Sequence, residues 1–382
     1  MKKKIAILTG GGDAPGLNAV IYSIVRGCHN LLPEYDVIGY RFGYRGLYEG
    51  DYIPLTLEST SGILHKGGSM LFSSNRDNLF NYSVMENGAF VHKGDVSDVA
   101  VKKMKEAGVH TLIVLGGDGT LTSARDFSNK AEDEDGYKVN VIGVPKTIDN
   151  DLNATDATFG FDTAVGIATE NLGRLHTTAE SHHRVLVAQI MGRSAGWITL
   201  HAGIAGSADV ILIPEIPYNF ASIVKKINER NARGKKFSII AVSEGAIEQG
   251  GTQIEKEKVE GRPDSTNLGG IAEYIVGQLK DKIENEVRDC VFGHIQRGGD
   301  TSAADRLLSA RYGVRVVELI KEGKFGNMVC LNNGSMEYVA LNDVIPKDLE
   351  KGGIARGGDK LVDPNGELVR VARSLGISFG DE

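Results

Sequence analysis

Two glycine-rich turns, each directly after a short apolar run, have the composition of phosphate cradles. The first is Thr9-Gly10-Gly11-Gly12-Asp13-Ala14-Pro15-Gly16-Leu17-Asn18. Glycine amides at a helix N-terminus point at an anion, and the helix dipole favours its charge. No Gly-Lys-Ser/Thr follows, so this is not a P-loop, and the spacing is not a clean dinucleotide fingerprint. The plain alternative is a tight strand-to-helix turn. The second turn is Gly116-Gly117-Asp118-Gly119-Thr120. Its glycines bring backbone amides up to a triphosphate, and Asp118 offers the hard oxygen that Mg2+ takes. The same pentapeptide occurs in lipid kinases and nicotinamide-nucleotide kinases, so alone it indicates a phosphoryl donor and leaves the acceptor open. A third segment, Pro145-Lys146-Thr147-Ile148-Asp149-Asn150-Asp151, carries two carboxylates two residues apart. A carboxylate within hydrogen-bond reach of a hydroxyl accepts its proton; the structural alternative is a turn-capping aspartate.

Such turns need rigid elements behind them. Apolar, β-branched runs predict strands at Ile5–Leu8, Thr111–Leu115, Val139–Val144, Val185–Ile190, Val210–Ile213, Ile239–Val242 and Cys290–Phe292. Several are apolar throughout, the mark of parallel strands buried on both faces. Helical patterns lie between them, such as Leu268, Ile271, Ile275 and Leu279 on one face. Alternating strand and helix gives a doubly wound α/β architecture. The acidic stretch Glu132–Gly136 and the Lys/Glu/Gly-rich stretch from Gln249 to Pro263 read as solvated surface loops. The tail after Pro346, with Gly352-Gly353 and Gly357-Gly358, receives no element.

Composition sets the outer bounds. The 382 residues fit two α/β lobes, and 41% hydrophobic with 24% charged residues is ordinary for a globular chain. A net charge of −7 and no basic stripe argue against a nucleic-acid partner. Cys28, Cys290 and Cys330 are too few and too scattered for a disulfide framework or a zinc site. No stretch has the length of a membrane span. The expectation is a reduced, cytoplasmic location. His176, His182 and His183 imply no metal geometry, and Trp197 is expected in the core.

Taken with the two glycine turns, Pro145–Asp151 resembles the phosphofructokinase family. Met191-Gly192-Arg193, Glu244-Gly245 and Gly293-His294-Ile295-Gln296-Arg297-Gly298-Gly299 agree in order and spacing, from residue 5 to about residue 345. The resemblance implies two doubly wound lobes with mainly parallel sheets. Residues 1–158 with 296–345 would form a discontinuous donor lobe. Residues 159–295 with 346–382 would form the sugar-phosphate lobe and a C-terminal extension. It implies a glycolytic kinase that moves the γ-phosphoryl of ATP to the 1-hydroxyl of fructose 6-phosphate. Asp149 would be the base, Arg193 would stabilise charge on the moving phosphoryl and Thr147 would hold it. Asp118 and Asp151 would serve Mg2+. Gly12, Tyr44, Arg76, Gly117, Asp118, Gly119, Thr120 and Lys146 would bind the donor. Thr147, Asp149, Met191, Gly192, Arg193, Glu244, His294 and Arg297 would bind the sugar phosphate. Arg184 and Arg288 would reach that phosphate from a neighbouring subunit, which implies a homodimer or homotetramer.

Two positions speak to the donor and disagree. Pyrophosphate users of the family typically carry aspartate where this chain has Gly119, and lysine where it has Lys146. An aspartate at the first position excludes ATP by bulk and like charge, whereas the lysine attracts either donor. Gly119 therefore weighs more, and ATP is favoured over pyrophosphate. Alternative readings are pyrophosphate as donor and, more remotely, a non-catalytic regulatory subunit. The family's basic effector pocket is depleted here, with Tyr22 and His176 in place of arginines, while Arg26, Arg233 and Lys235 remain.

Overall fold

Alternation in β1 (Lys4–Thr9) explains how one strand serves two layers. Ile5 and Ile7 join one apolar cluster, with Leu17, Val20, Ile24 and Tyr312, and Ala6 and Leu8 join another, with Met104, Leu121 and Phe127. The structure, a computed structural model, describes residues 2–86, 89–130, 132–258, 266–345 and 360–382. The strand belongs to a seven-stranded sheet in the order β15 (Ser335–Ala340), β14 (Asn327–Asn332), β7 (Asn140–Pro145), β6 (Val109–Gly116), β1, β2 (Asp36–Tyr40) and β3 (Tyr52–Pro54). Its five central strands are parallel and its two edge strands antiparallel. A second sheet has four parallel strands in the order β13 (Val287–Val291), β8 (Val185–Ile190), β10 (Ser238–Ser243) and β9 (Val210–Leu212).

Helices cover both faces of each sheet. Leu17–Leu31 and Ala303–Glu322 lie together on one face of the larger sheet. They approach so closely that a Cβ on Gly313 would sit 2.7 Å from that of Ser23. Phe161–His182 and Trp197–Ala205 cover one face of the smaller sheet, and Phe220–Ala232 and Ile271–Leu279 the other.

The predicted strands are all present. The helix seen in the periodicity starts at Ile271, however, because Gly269 and Gly270 take positive φ and break the chain before it. Leu268 ends β12 (Thr266–Leu268), which pairs antiparallel with β11 (Glu255–Lys258). The stretch expected to be a loop is therefore partly a ribbon, and its residues 259–265 lie outside the described ones. A similar ribbon joins β4 (Tyr82–Glu86) and β5 (Ala89–Gly94). In the acidic stretch, Asp133 accepts from Lys105 at 2.6 Å. Trp197 is only half-buried, since its indole N–H must reach the Lys360 carbonyl, 2.6 Å away. The tail residues Gly352, Gly353, Gly357 and Gly358 lie outside the described residues. Residues 360–382 are built into the fold, with Val362, Val369 and Phe379 buried in the apolar cluster on one face of the smaller sheet.

One buried carboxylate ties two helix starts together. Asp305 accepts from the Thr163 amide (2.8 Å) and hydroxyl (2.5 Å), and its own amide donates to the capping Ser302 hydroxyl. Replacing it with alanine strands two buried donors. Asp305→Ala should cost about 2 kcal/mol, read as a lower urea midpoint at unchanged slope.

Candidate active site

Because β7, β6 and β1 are adjacent and parallel, their C-terminal turns lie side by side. This is the edge where open α/β sheets bind ligands. Gly10 N–H donates to the Leu115 carbonyl and Gly11 N–H to that of Ser74, both at 2.9 Å. Thr120 fills the space between the two glycine turns. A Cβ on Gly10 would meet its Cγ2 at 2.6 Å, and one on Gly116 would meet its Cβ at 2.3 Å. The phenol of Tyr44 donates to the Thr120 carbonyl at 2.8 Å and its ring packs on Phe127. Tyr44 is buried in the core, so the residue expected as a nucleotide-side aromatic instead props the Gly116–Thr120 turn from beneath. Thr120 is likewise a buried spacer. Gly119 faces open space, with nothing within 4 Å of an added Cβ. Asp118 opens the helix Asp118–Asn129, beside Gly117. Arg76 is exposed, with its guanidinium 5.9 Å from the Phe90 ring. An exposed stacked pair, Phe42 and Phe72, sits at the rim of the first turn, 4.8 Å between centroids.

The third segment closes this edge. Lys146 is buried and donates to the Gly12 carbonyl at 2.5 Å. Burial, helped by nearby Arg297, lowers its ammonium pKa to about 8. Asp149 N–H donates to the Thr147 hydroxyl at 3.1 Å. Thr158 holds the loop from behind, donating its hydroxyl to the Thr147 carbonyl (2.7 Å) and its amide to Asn150 Oδ1 (3.0 Å). Asn150 has φ +53°, a left-handed conformation that asparagine tolerates. The result is a buried Asp149 Oδ1 with no hydrogen-bond partner. Burial first, then the charge of Asp151, raises the Asp149 carboxyl to about 8, against the pull of Arg297. Burial raises Asp151 as well.

The smaller sheet contributes the facing edge. Met191 N–H donates to Gln296 Oε1 at 2.9 Å, and the Ser243 hydroxyl to the Gly192 carbonyl at 2.6 Å. Gly192 has φ +139°, which excludes a side chain there. Burial raises the Glu244 carboxyl, while the Gly192 amide and the charges of Arg297, Arg193 and His294 pull it back. Arg297 crosses between the two edges, donating to the Asp13 carbonyl at 2.6 Å. Asp149, Glu244, Arg193, His294 and Arg297 thus share one electrostatic neighbourhood. Arg184 and Arg288 do not join it. They meet on Glu286 at the N-terminal edge of the same sheet, at the other end of β8 and β13. His183 offers its carbonyl to Asn285 and leaves Arg184 to Glu286. Gln296, fully buried with its Nε2 unpartnered, was inside a recognised motif but had no role assigned from sequence.

A family profile described as Phosphofructokinase matches residues 4–320. The chain belongs to the phosphofructokinase family. It is 57% identical to ATP-dependent 6-phosphofructokinase 2 of Clostridium perfringens, over 99% of each chain. It is also 45% identical to the pyrophosphate–fructose 6-phosphate 1-phosphotransferase of Streptomyces coelicolor, over 99% of this chain and all of the relative. Among solved structures, the phosphofructokinase from Saccharomyces cerevisiae superposes with a TM-score of 0.74 at 27% identity. That match covers 89% of this chain and 45% of the longer yeast chain. Among the described residues of this phosphofructokinase family member, no three His, Cys, Asp or Glu cluster as a metal cage. No described helix is long and apolar enough to cross a membrane.

The buried carboxyl gives a pH test. Its folded pKa is raised, so its stabilising contribution is whole below the unfolded value near ~3.9 and is lost as pH rises through about 8. In EDTA, Asp149→Asn should therefore melt higher than the parent at pH 8, by on the order of 5 °C. The gap should narrow toward pH 5; a gap independent of pH in differential scanning calorimetry would remove the burial cost.

Proposed function

We propose that this chain transfers the γ-phosphoryl of ATP to the 1-hydroxyl of fructose 6-phosphate. The observation that carries this reading is the unpartnered Oδ1 of Asp149, buried where the donor turns meet the sugar-side loops. An oxygen so placed accepts the sugar hydroxyl's proton as the oxygen–phosphorus bond forms and the bond to the β-phosphate breaks. Arg193 is the group to meet charge on the moving phosphoryl, because its planar fork holds two oxygens at once. Thr147 lines the same turn. Glu244 accepts from sugar hydroxyls, and Met191, Gly192, His294 and Arg297 complete the sugar-phosphate side.

The donor set suits Mg2+. This ion is held by one or two carboxylates plus substrate phosphates and needs no protein cage. Asp118 and Asp151 would hold it, and it would supply charge neutralisation on the phosphates. Gly12 and Gly117 present the backbone to those phosphates, and Arg76 remains free to swing toward them.

Two features favour ATP. The open space over Gly119 leaves room for a nucleotide's inner phosphate. Lys146, the marker shared with pyrophosphate users, spends a proton on the Gly12 carbonyl and so acts as a brace between β7 and the first turn. The Clostridium relative, named ATP-dependent, is the more similar of the two compared. Pyrophosphate remains the second reading, carried by Lys146 and the Streptomyces relative.

The six residues of β8 separate Arg184 from Met191 by about 20 Å. Arg184 and Arg288 therefore belong to the sugar-phosphate site of a second copy in a homodimer or homotetramer. The donor lobe comprises 1–158 with 296–345 and the sugar lobe 159–295 with the C-terminal extension, in the cytoplasm. Arg26 already stacks on Tyr22, 4.5 Å from the ring centroid, and His176 bonds the Gly206 carbonyl, which leaves a weak effector pocket.

The primary test offers ATP and pyrophosphate separately with fructose 6-phosphate and Mg2+. Turnover with ATP alone is expected; turnover with pyrophosphate alone would reverse the weight given to Gly119 and Lys146. Asp149→Asn should lower kcat by several orders of magnitude with sugar binding kept, and Gly119→Asp should impair ATP use. Mixing Asp149→Asn with Arg288→Ala subunits should restore activity that neither has alone. No restoration would place Arg288 outside a shared site.

A further inference from the structure

Residues 360–382 lie beyond the family match, which ends at residue 320, yet they touch the catalytic segment directly. Lys360 N–H donates to the Asp151 carbonyl at 2.8 Å. Its ammonium donates to the carbonyls of Thr155 (3.1 Å) and Asp156 (2.5 Å), just downstream on the same segment. Its own carbonyl accepts from the Trp197 indole at 2.6 Å. Two residues on, Val362 N–H donates to Glu215 Oε1 at 2.9 Å, and the same oxygen takes the Gly196 amide at 2.9 Å. The loop that begins at Met191-Gly192-Arg193 runs straight into Gly196 and Trp197. A single stretch, Lys360 to Val362, thus holds the carboxylate-bearing segment on one side and the phosphoryl-stabilising loop on the other.

The stretch is itself fixed. Val369, Ala372 and Phe379 are buried in the smaller lobe's core. Ser378 bridges to Val210 at the outer edge of β9, and the Gly380 carbonyl accepts from Asn219 at 2.7 Å. Lysine suits the junction because an ammonium has three donors, enough for two main-chain carbonyls, and charge strengthens each bond.

We propose that Lys360 is a positioning residue for phosphoryl transfer, locking the main chain around Asp151 to the loop that carries Arg193. It touches no reacting atom and acts through the aim of Asp149 and Asp151. A small displacement of such groups costs rate and not binding. This inference rests on the kinase reading above.

The test uses the full chain with Lys360→Met, Trp197→Phe, the double variant and Lys360→Arg. Lys360→Met should lower kcat about tenfold with both KM values within about twofold. Amides of residues 147–156 should exchange faster in hydrogen–deuterium exchange, with melting little changed. Trp197→Phe should move the same readouts, the double variant should be no worse than the weaker single, and Lys360→Arg should recover part of kcat. If Lys360→Met fails to fold, Trp197→Phe, which keeps the ammonium, decides the matter by kcat. An unchanged kcat, additive losses, or unaltered exchange in 147–156 would overturn the proposal. A parent enzyme inactive on fructose 6-phosphate, with the exchange effect intact, would instead sink the kinase reading alone.

Discussion

A carboxylate oxygen kept out of water without a partner is expensive, and the ligand edge is arranged around carrying that cost. Asp149 sits against Asp151, whose charge worsens its position, and is relieved by Arg297 and Lys146. Burial of an ion is tolerated when neighbours of opposite sign are fixed nearby. Lys146 is fixed by the Gly12 carbonyl and Arg297 by that of Asp13, so both counter-charges hang on the first glycine turn. The turn therefore anchors the two cations that pull the buried Asp149 carboxyl back toward ionisation. Thr120, wedged between Gly10 and Gly116, sets the spacing of both turns, and Tyr44 props it from below.

The segments that meet at this edge were legible in the sequence because each is a contiguous turn of distinctive composition directly after an apolar strand. Strands such as Val185–Ile190 were legible because burial on both faces makes a continuous apolar run. Tyr44 was misread since an aromatic beside glycines looks the same whether it stacks on a base or fills the core. Leu268 fell on the helical face by spacing, but two glycines with positive φ intervene before the helix. The strand β11 reads Glu-Lys-Glu-Lys, with no apolar residue to alternate and so no strand pattern in the sequence. Lys360, Glu215 and Trp197 left no motif, because main-chain carbonyls and amides do most of their recognition.

The arginines divide by edge. Arg193 and Arg297 stand at the C-terminal ends of the smaller sheet's strands, among the site's carboxylates. Arg184 and Arg288 stand at the opposite ends and share Glu286. A parallel sheet cannot present both ends to one ligand: Arg193 and Arg297 lie in recognisable motifs, Arg184 and Arg288 were named only through the family resemblance, and the fold puts the two pairs at opposite ends.

The order of strands in the larger sheet also bears on how the chain is made. β14 pairs with β7, matching Asn327 to Ile142, and the helix Ala303–Glu322 covers the face that β1 and the helix Leu17–Leu31 leave apolar. During synthesis the first lobe therefore emerges with one sheet edge unpaired and one greasy face bare. The whole smaller lobe must pass through the ribosome before the missing pieces arrive. Such an intermediate is open to edge-to-edge association for as long as those last strands are missing.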